Sequence, residues 1–275
     1  MGAHMEKQLY FEQIDRAYDS LTGKALEERL LELLEQSGGE YGQDSAFYAS
    51  MLSELGGYYR GQARYEESAG FFRQARELLA ASVGENSPDY ATAVNNLAGT
   101  YRLMGRLDEA EQNFQTCLEL YRRTVGEAHI LYASGLNNLS LVCLDRGDVD
   151  GAAELLGRAS AILAAQPGCR DELASSLCNL AALHRQLGRP EQAESELRRA
   201  VELYETELGV TTPHYHAALN AMGLVCYDGR RYREALDWFT RAAQAAETLY
   251  GREHRECRTA LRHAGLARQA LEGQP

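Results

Sequence analysis

An all-α solenoid of antiparallel helix pairs is the architecture expected of this chain, on three grounds. The first is self-similarity. Tyr132-Ala133-Ser134-Gly135-Leu136-Asn137-Asn138-Leu139 restates Tyr90-Ala91-Thr92-Ala93-Val94-Asn95-Asn96-Leu97, and related segments start at Tyr48, Leu173, Tyr215 and Cys257. Successive starts lie 42, 42, 41, 42 and 42 residues apart, within the range that marks repeat architectures. The second is period: apolar residues recur at helical spacing and nothing alternates as a strand would. The third is a set of small residues at fixed places, which lets two helices approach closely.

Each element follows from counting a unit start as position 0. In the first helix, position 4 is Leu52, Val94, Leu136, Leu177, Leu219 and Leu261. Position 7 is Leu55, Leu97, Leu139, Leu180, Met222 and Ala264, and position 8 is small, from Gly56 through Ala98 and Ser140 to Gly265. Position 11 is Tyr59, Tyr101, Cys143, His184 and Cys226. Offsets 4, 7, 8 and 11 make one stripe of an α-helix. In the second helix, positions 20 and 27 are small, as in Ala110 and Ala200, and position 24 is bulky: Phe72, Phe114, Leu156, Leu197 and Phe239.

This pattern resembles the tetratricopeptide repeat, with small residues at 8, 20 and 27 and large apolar ones at 4, 7, 11 and 24. The usual repeat has 34 residues. The longer unit here, with Asn-Asn-Leu-Ala in the first helix and Asp-Glu-Ala-Glu opening the second, is similar to the kinesin-light-chain type. The resemblance implies a right-handed superhelix whose first-helix residues at positions 2, 5, 6, 9, 12 and 13 line the inner surface.

Met1–Met5 reads as an expression remnant, so His4 enters no site. Residues 6–275 are expected to form a single solenoid. Residues 6–47 are a degenerate capping unit, with one helix marked by Leu9, Phe11, Ile14, Ala17, Tyr18 and Leu21 and a second by Leu26, Leu30, Leu31, Leu33 and Leu34. Repeats follow at 48–89, 90–131, 132–172, 173–214 and 215–256. Residues 257–271 form a closing helix, and the last few residues should fray. Two turns differ. The third unit carries Gln166-Pro167-Gly168-Cys169 in place of Val-Gly-Glu, and the fifth has Gly229 one place earlier than Gly105, Gly147 and Gly188. That glycine is still expected to end its helix.

With Lys+Arg 28 against Asp+Glu 40, the net charge is −12. That argues against nucleic acid, whose affinity comes from cationic contacts to phosphate, and against anionic membrane surfaces. No apolar run is long enough to span a bilayer, so a cytoplasmic protein is expected. Of the six cysteines, Cys117, Cys143, Cys178 and Cys226 fall at helix core positions, which reads as buried free thiols in a reducing compartment. Cys169 falls in a loop.

No catalytic or cofactor motif is present: no phosphate-cradling glycine loop, Gly-x-Ser-x-Gly or His-Glu-x-x-His. His214 and His216 are two apart, which does not put both rings on one helix face, and no third ligand accompanies them. His184 at position 11 reads as a packed histidine. An enzyme is not expected, and neither is a cofactor or a metal.

The inner surface is more informative. Position 5 holds Asn95, Asn137 and Asn220, position 6 holds Asn96, Asn138 and Asn179, and position 12 holds Arg60, Arg102, Arg185 and Tyr227. Asparagine is a mediocre helix former, so a ladder of it needs a cause. Its amide has a donor and an acceptor, matching a peptide unit. Rungs about 10 Å apart would clamp roughly every third residue of a strand rising about 3.3 Å per residue. Alternatively the amides tie neighbouring repeats together. Both readings hold if position 5 is structural and position 6 faces a ligand. The surface is also less acidic than the chain, which favours a protein or peptide partner of some acidic character near Arg60 and Arg102, unless these arginines pair with nearby acids. The carboxylate clamp that the resemblance would allow, with Lys at 2 and 5 and Asn at 9, is absent. A peptide-binding module is therefore expected. The rivals are a scaffold binding through its outer face or ends, including as a homo-oligomer, and the sensor or adaptor part of a larger regulatory system.

Overall fold

Several first helices begin where a capping side chain meets the chain. Ser45, Ser87 and Thr212 accept from the backbone N–H of Tyr48, Tyr90 and Tyr215, and Pro88 and Pro213 occupy the first turn, where a missing N–H costs nothing. The computed structural model describes residues 2–273, with side chains from Lys7 onward. Met1, the side chains of the proposed expression remnant and the expected frayed end at Gln274 and Pro275 lie outside the described residues. These are 83% helical with no strand, which makes the chain all-α.

The chain divides into two compact units, Met1–Val142 and Cys143–Pro275. The first holds α1 (Gly2–Ser20), α2 (Gly23–Tyr41), α3 (Ala46–Gly61), α4 (Tyr65–Ser82), α5 (Pro88–Leu103), α6 (Leu107–Thr124) and most of α7 (Ile130–Asp145). The second holds α8 (Val149–Ala164), α9 (Arg170–Gln186), α10 (Pro190–Leu203, continued by a π-helical turn at Tyr204–Leu208), α11 (Pro213–Asp228), α12 (Tyr232–Tyr250) and α13 (Arg255–Glu272).

The small-residue positions show why the pairs close. Ala110, Ala193 and Ala235 at position 20, and Ala75, Cys117 and Ala242 at position 27, are fully buried. The bulky residue at position 24 lies on the small one at position 8. A Cβ built on Gly56 would come within 2.8 Å of the Phe72 ring, and one on Gly223 within 2.4 Å of Phe239. Ser68 Oγ also donates to the Gly56 carbonyl at 2.8 Å.

One expectation needs correction, and two others gain detail. In α1 the buried stripe is Tyr10, Ile14 and Ala17, whereas Leu9, Phe11 and Tyr18 are exposed. Tyr10 packs edge-on against Phe47 and Tyr41, and this aromatic cluster sets the face. Gly229 directly follows α11 and ends it as expected, but it is not the left-handed residue of the fifth repeat. Arg230 takes φ 57°, in step with Gly105, Gly147 and Gly188, and Ala63 takes φ 58° in the first repeat. The turn keeps its register because Arg231 N–H must still reach the Cys226 carbonyl, as Arg106 reaches Tyr101. Cys169 lies in the loop before α9, as expected, and is buried there. All six cysteines are free thiols, and burial pushes Cys117 and Cys178 up to about 12.

Candidate functional site

The asparagines divide between the two compact units. Asn95, Asn96, Asn137 and Asn138 lie in the first with Arg60 and Arg102; Asn179 and Asn220 lie in the second with Arg185 and Tyr227.

In the first unit, α5 and α7 run side by side and the two asparagine positions do different work. Asn95 is buried. Its Oδ1 accepts from Asn138 Nδ2 at 3.2 Å, and the Cys117 thiol lies 3.7 Å away. Position 5 of one repeat thus binds position 6 of the next. The second unit repeats the step, since Asn220 Oδ1 and His263 Nδ1 are 2.9 Å apart, and His263 stands at position 6 of the closing helix. A buried amide would otherwise be left unsatisfied. Asn96 escapes this fate. The residue that would meet it, Ser53, bonds instead to the Ala49 carbonyl, and the Asn96 amide makes no side-chain hydrogen bond among the described residues.

Arg60 reaches across from α3 to the same place. Its Nη1 donates to the Asn96 carbonyl at 3.5 Å, and its guanidinium carbon lies 5.4 Å from the Phe72 ring centroid. Gly99 makes room, because a Cβ there would sit 3.3 Å from Nη1. Burial pushes the Arg60 pKa down. No carboxylate is within ion-pair distance of Arg60 among the described residues. This contrasts with Arg64, Arg106 and Arg122, each paired with a nearby glutamate. A cavity of about 310 Å³ opens beside it, lined by Arg60, Asn96, Arg102, Ser134, Asn138 and Leu141. Asn137 lies half-buried on α7, outside this cavity.

The second unit brings its arginine to an acid instead. Arg185 Nε donates to Asp228 Oδ2 at 2.6 Å, so the alternative of pairing within the surface applies there. Tyr227 packs on Tyr232, with ring centroids 5.2 Å apart, and Asn179 is exposed on α9. His184 is buried, with Nδ1 2.9 Å from the Glu196 carboxylate. His216 is buried while His214 is exposed, and no group of side chains suited to a metal is found among the described residues. No helix there is long and apolar enough to cross a membrane.

The sequence reading missed the arginine that opens most second helices. Arg64 and Arg106 lie 4.3 Å over the rings of Tyr59 and Tyr101 and pair with Glu67 and Glu109. The recurrence of Arg at position 16 and Glu at position 19 was the available signal.

Models of the tetratricopeptide repeat match residues 47–123, 89–165 and 131–206, and a second such model matches 178–250. The chain belongs to the tetratricopeptide repeat family. Repeats of this family generally mediate protein–protein interaction or scaffolding and are typically not enzymes. No curated protein matches the chain by sequence. Among solved structures, it is similar to a Podosopora anserina protein assigned as a kinesin light chain, with nearly identical TPR-like repeats. That likeness has 19% identity and a TM-score of 0.61, over 72% of this chain and 95% of that one. BtubC (BKLC) from P. vanneervenii matches at 15% identity and TM-score 0.61, over 97% of this chain and 93% of that one. PilF of Pseudomonas aeruginosa matches at 19% identity and TM-score 0.56, over 85% and 95%. At these identities the likeness concerns the fold.

Proposed function

We propose that this tetratricopeptide repeat protein binds a protein or peptide segment of acidic character on the first-helix face of residues 1–142. The observation that carries the reading is Arg60. A half-buried guanidinium without a carboxylate is costly to keep, and its desolvation is offset when a ligand supplies the anion. Beside it, the Asn96 amide is open to a peptide unit. Asn138 offers its carbonyl oxygen and one amide N–H, its other N–H being engaged by Asn95. Arg102 lines the same cavity. In residues 143–275, Asn179 is the exposed member of the ladder, while Arg185 is already neutralised by Asp228; ligand contacts there are proposed through Asn179 and Tyr227. The chain acts in the cytoplasm on this reading, without cofactor or metal.

The test starts from a partner captured from the source organism and narrowed to a labelled segment. Arg60→Gln combined with Asn96→Ala should weaken that segment by about tenfold to a thousandfold, the worth of one neutral and one charge-assisted hydrogen bond. Its melting temperature should stay near the parent's. A folded double variant with unchanged affinity would reject this face and leave the outer-face scaffold reading.

A further inference from the structure

Between the second helices α8 and α10, with α9 as the floor, residues of 143–275 line a separate open cavity of about 570 Å³. Two departures from the repeat pattern meet there. On α8, Gly151, Gly157 and Ala161 stand where the preceding repeat has Glu109, Gln115 and Glu119, so the long side chains that would fill the space are missing. From the other side come His184 at position 11 and Glu196 at position 23, where other repeats carry Tyr or Cys, and Phe71, Asn113, Leu155 or Trp238. One departure removes bulk and the other adds a hydrogen-bonding pair, at a single place.

The interior has a direction. Leu177 and Leu180 form an apolar floor. Arg189 donates to Asp150 at 2.6 Å across one end and closes it. The Glu196 carboxylate lies against the His184 ring, with both oxygens within 3.0 Å of Nδ1. One N–H leaves lone pairs on both oxygens unused. Burial holds the Glu196 carboxyl above its ordinary range, so a donor brought to it is favoured. Glu154 lies on the opposite wall and has no ion pair among the described residues. With Asp150 and Arg189 cancelling, Glu154 and Glu196 outweigh Arg199 at the rim, and the whole chain carries −12. An acidic head would face both glutamates.

We infer that this cavity receives an arginine or lysine side chain of a protein partner, its methylene stem on Leu177 and Leu180 and its charged head on Glu196. An apolar stem with a charged tip is what such side chains offer, and a guanidinium can engage a carboxylate with two parallel donors.

The experiment titrates the full chain with N-acetyl-argininamide, N-acetyl-lysinamide and N-acetylglutamate amide, reading the Gly157 amide and the His184 ring by NMR. Saturable shifts with the two basic probes, and none with the acidic one, are expected. Gly157→Gln restores the bulk of the preceding repeat. It should weaken the basic probes at least about tenfold. That variant is expected to fold, because a Cβ at Gly157 meets nothing within 4 Å and glutamine favours a helix. Glu196→Gln should do the same to binding while leaving the cavity open. Absence of saturable shifts, a preference for the acidic probe, or equal affinity in Gly157→Gln would each overturn the proposal.

Discussion

At the scale of single residues, the turn between paired helices gives a sharp test. Ala63 and Arg230 hold the left-handed conformation that glycine holds in the intervening repeats. A side chain there costs about 1–2 kcal/mol. Ala63→Gly and Arg230→Gly should therefore each raise stability, by about 1 kcal/mol once the extra freedom of the unfolded glycine is counted. Denaturant melts read this directly. Asn95 and Asn96 give a second test, because adjacent asparagines have opposite assignments. Asn95→Ala removes the acceptor for Asn138 and should destabilise by about 1–3 kcal/mol. Asn96→Ala should scarcely move the melt, while weakening the captured partner.

The helix pair is the next scale, and one repeat position shows how context sets its meaning. Gly223 receives the Phe239 ring, whereas Gly265, at the same position in α13, has nothing within 4 Å. Gly223→Ala should cost about 1–3 kcal/mol through overpacking. Gly265→Ala should stabilise by about 0.5–1 kcal/mol through helix propensity. A thermal melt of the two variants side by side distinguishes them. The core was legible in the sequence because a stripe of size and polarity at helical spacing leaves few ways to pack, as Ala110 and Phe114 illustrate. The site was less legible. The spacing could not say that Asn95 turns inward while Asn96 stays open, since that depends on a partner 43 residues away. Nor could it say that Arg60 lacks an acid while Arg185 has Asp228. The cavity at α8 arises from long side chains that are missing at Gly151, Gly157 and Ala161, and a missing side chain leaves no stripe to read.

For the molecule as a whole, acid should act through two imidazoles in residues 143–275. Burial lowers the pKa of both His216 and His263 below the ordinary histidine value of 6.5. His216 lies against Tyr250, with Glu256 at 3.8 Å and His214 and His254 adding positive charge nearby. His263 faces Asn220 and the Phe239 ring, with Arg262 beside it. The unfolded chain takes up protons first as pH falls below about 6.5, so stability falls with pH from there down through the two folded values. Melting temperatures across that interval should decline, and His216→Asn combined with His263→Gln should flatten the decline.

The bond between Asn95 and Asn138 sets a condition on whatever binds in the first unit. The Asn138 amide has two N–H groups and Asn95 holds one of them, so a ligand finds one donor and the carbonyl oxygen still on offer. A ligand content with those two leaves the stitch between α5 and α7 in place, whereas one that needs both donors has to open that seam.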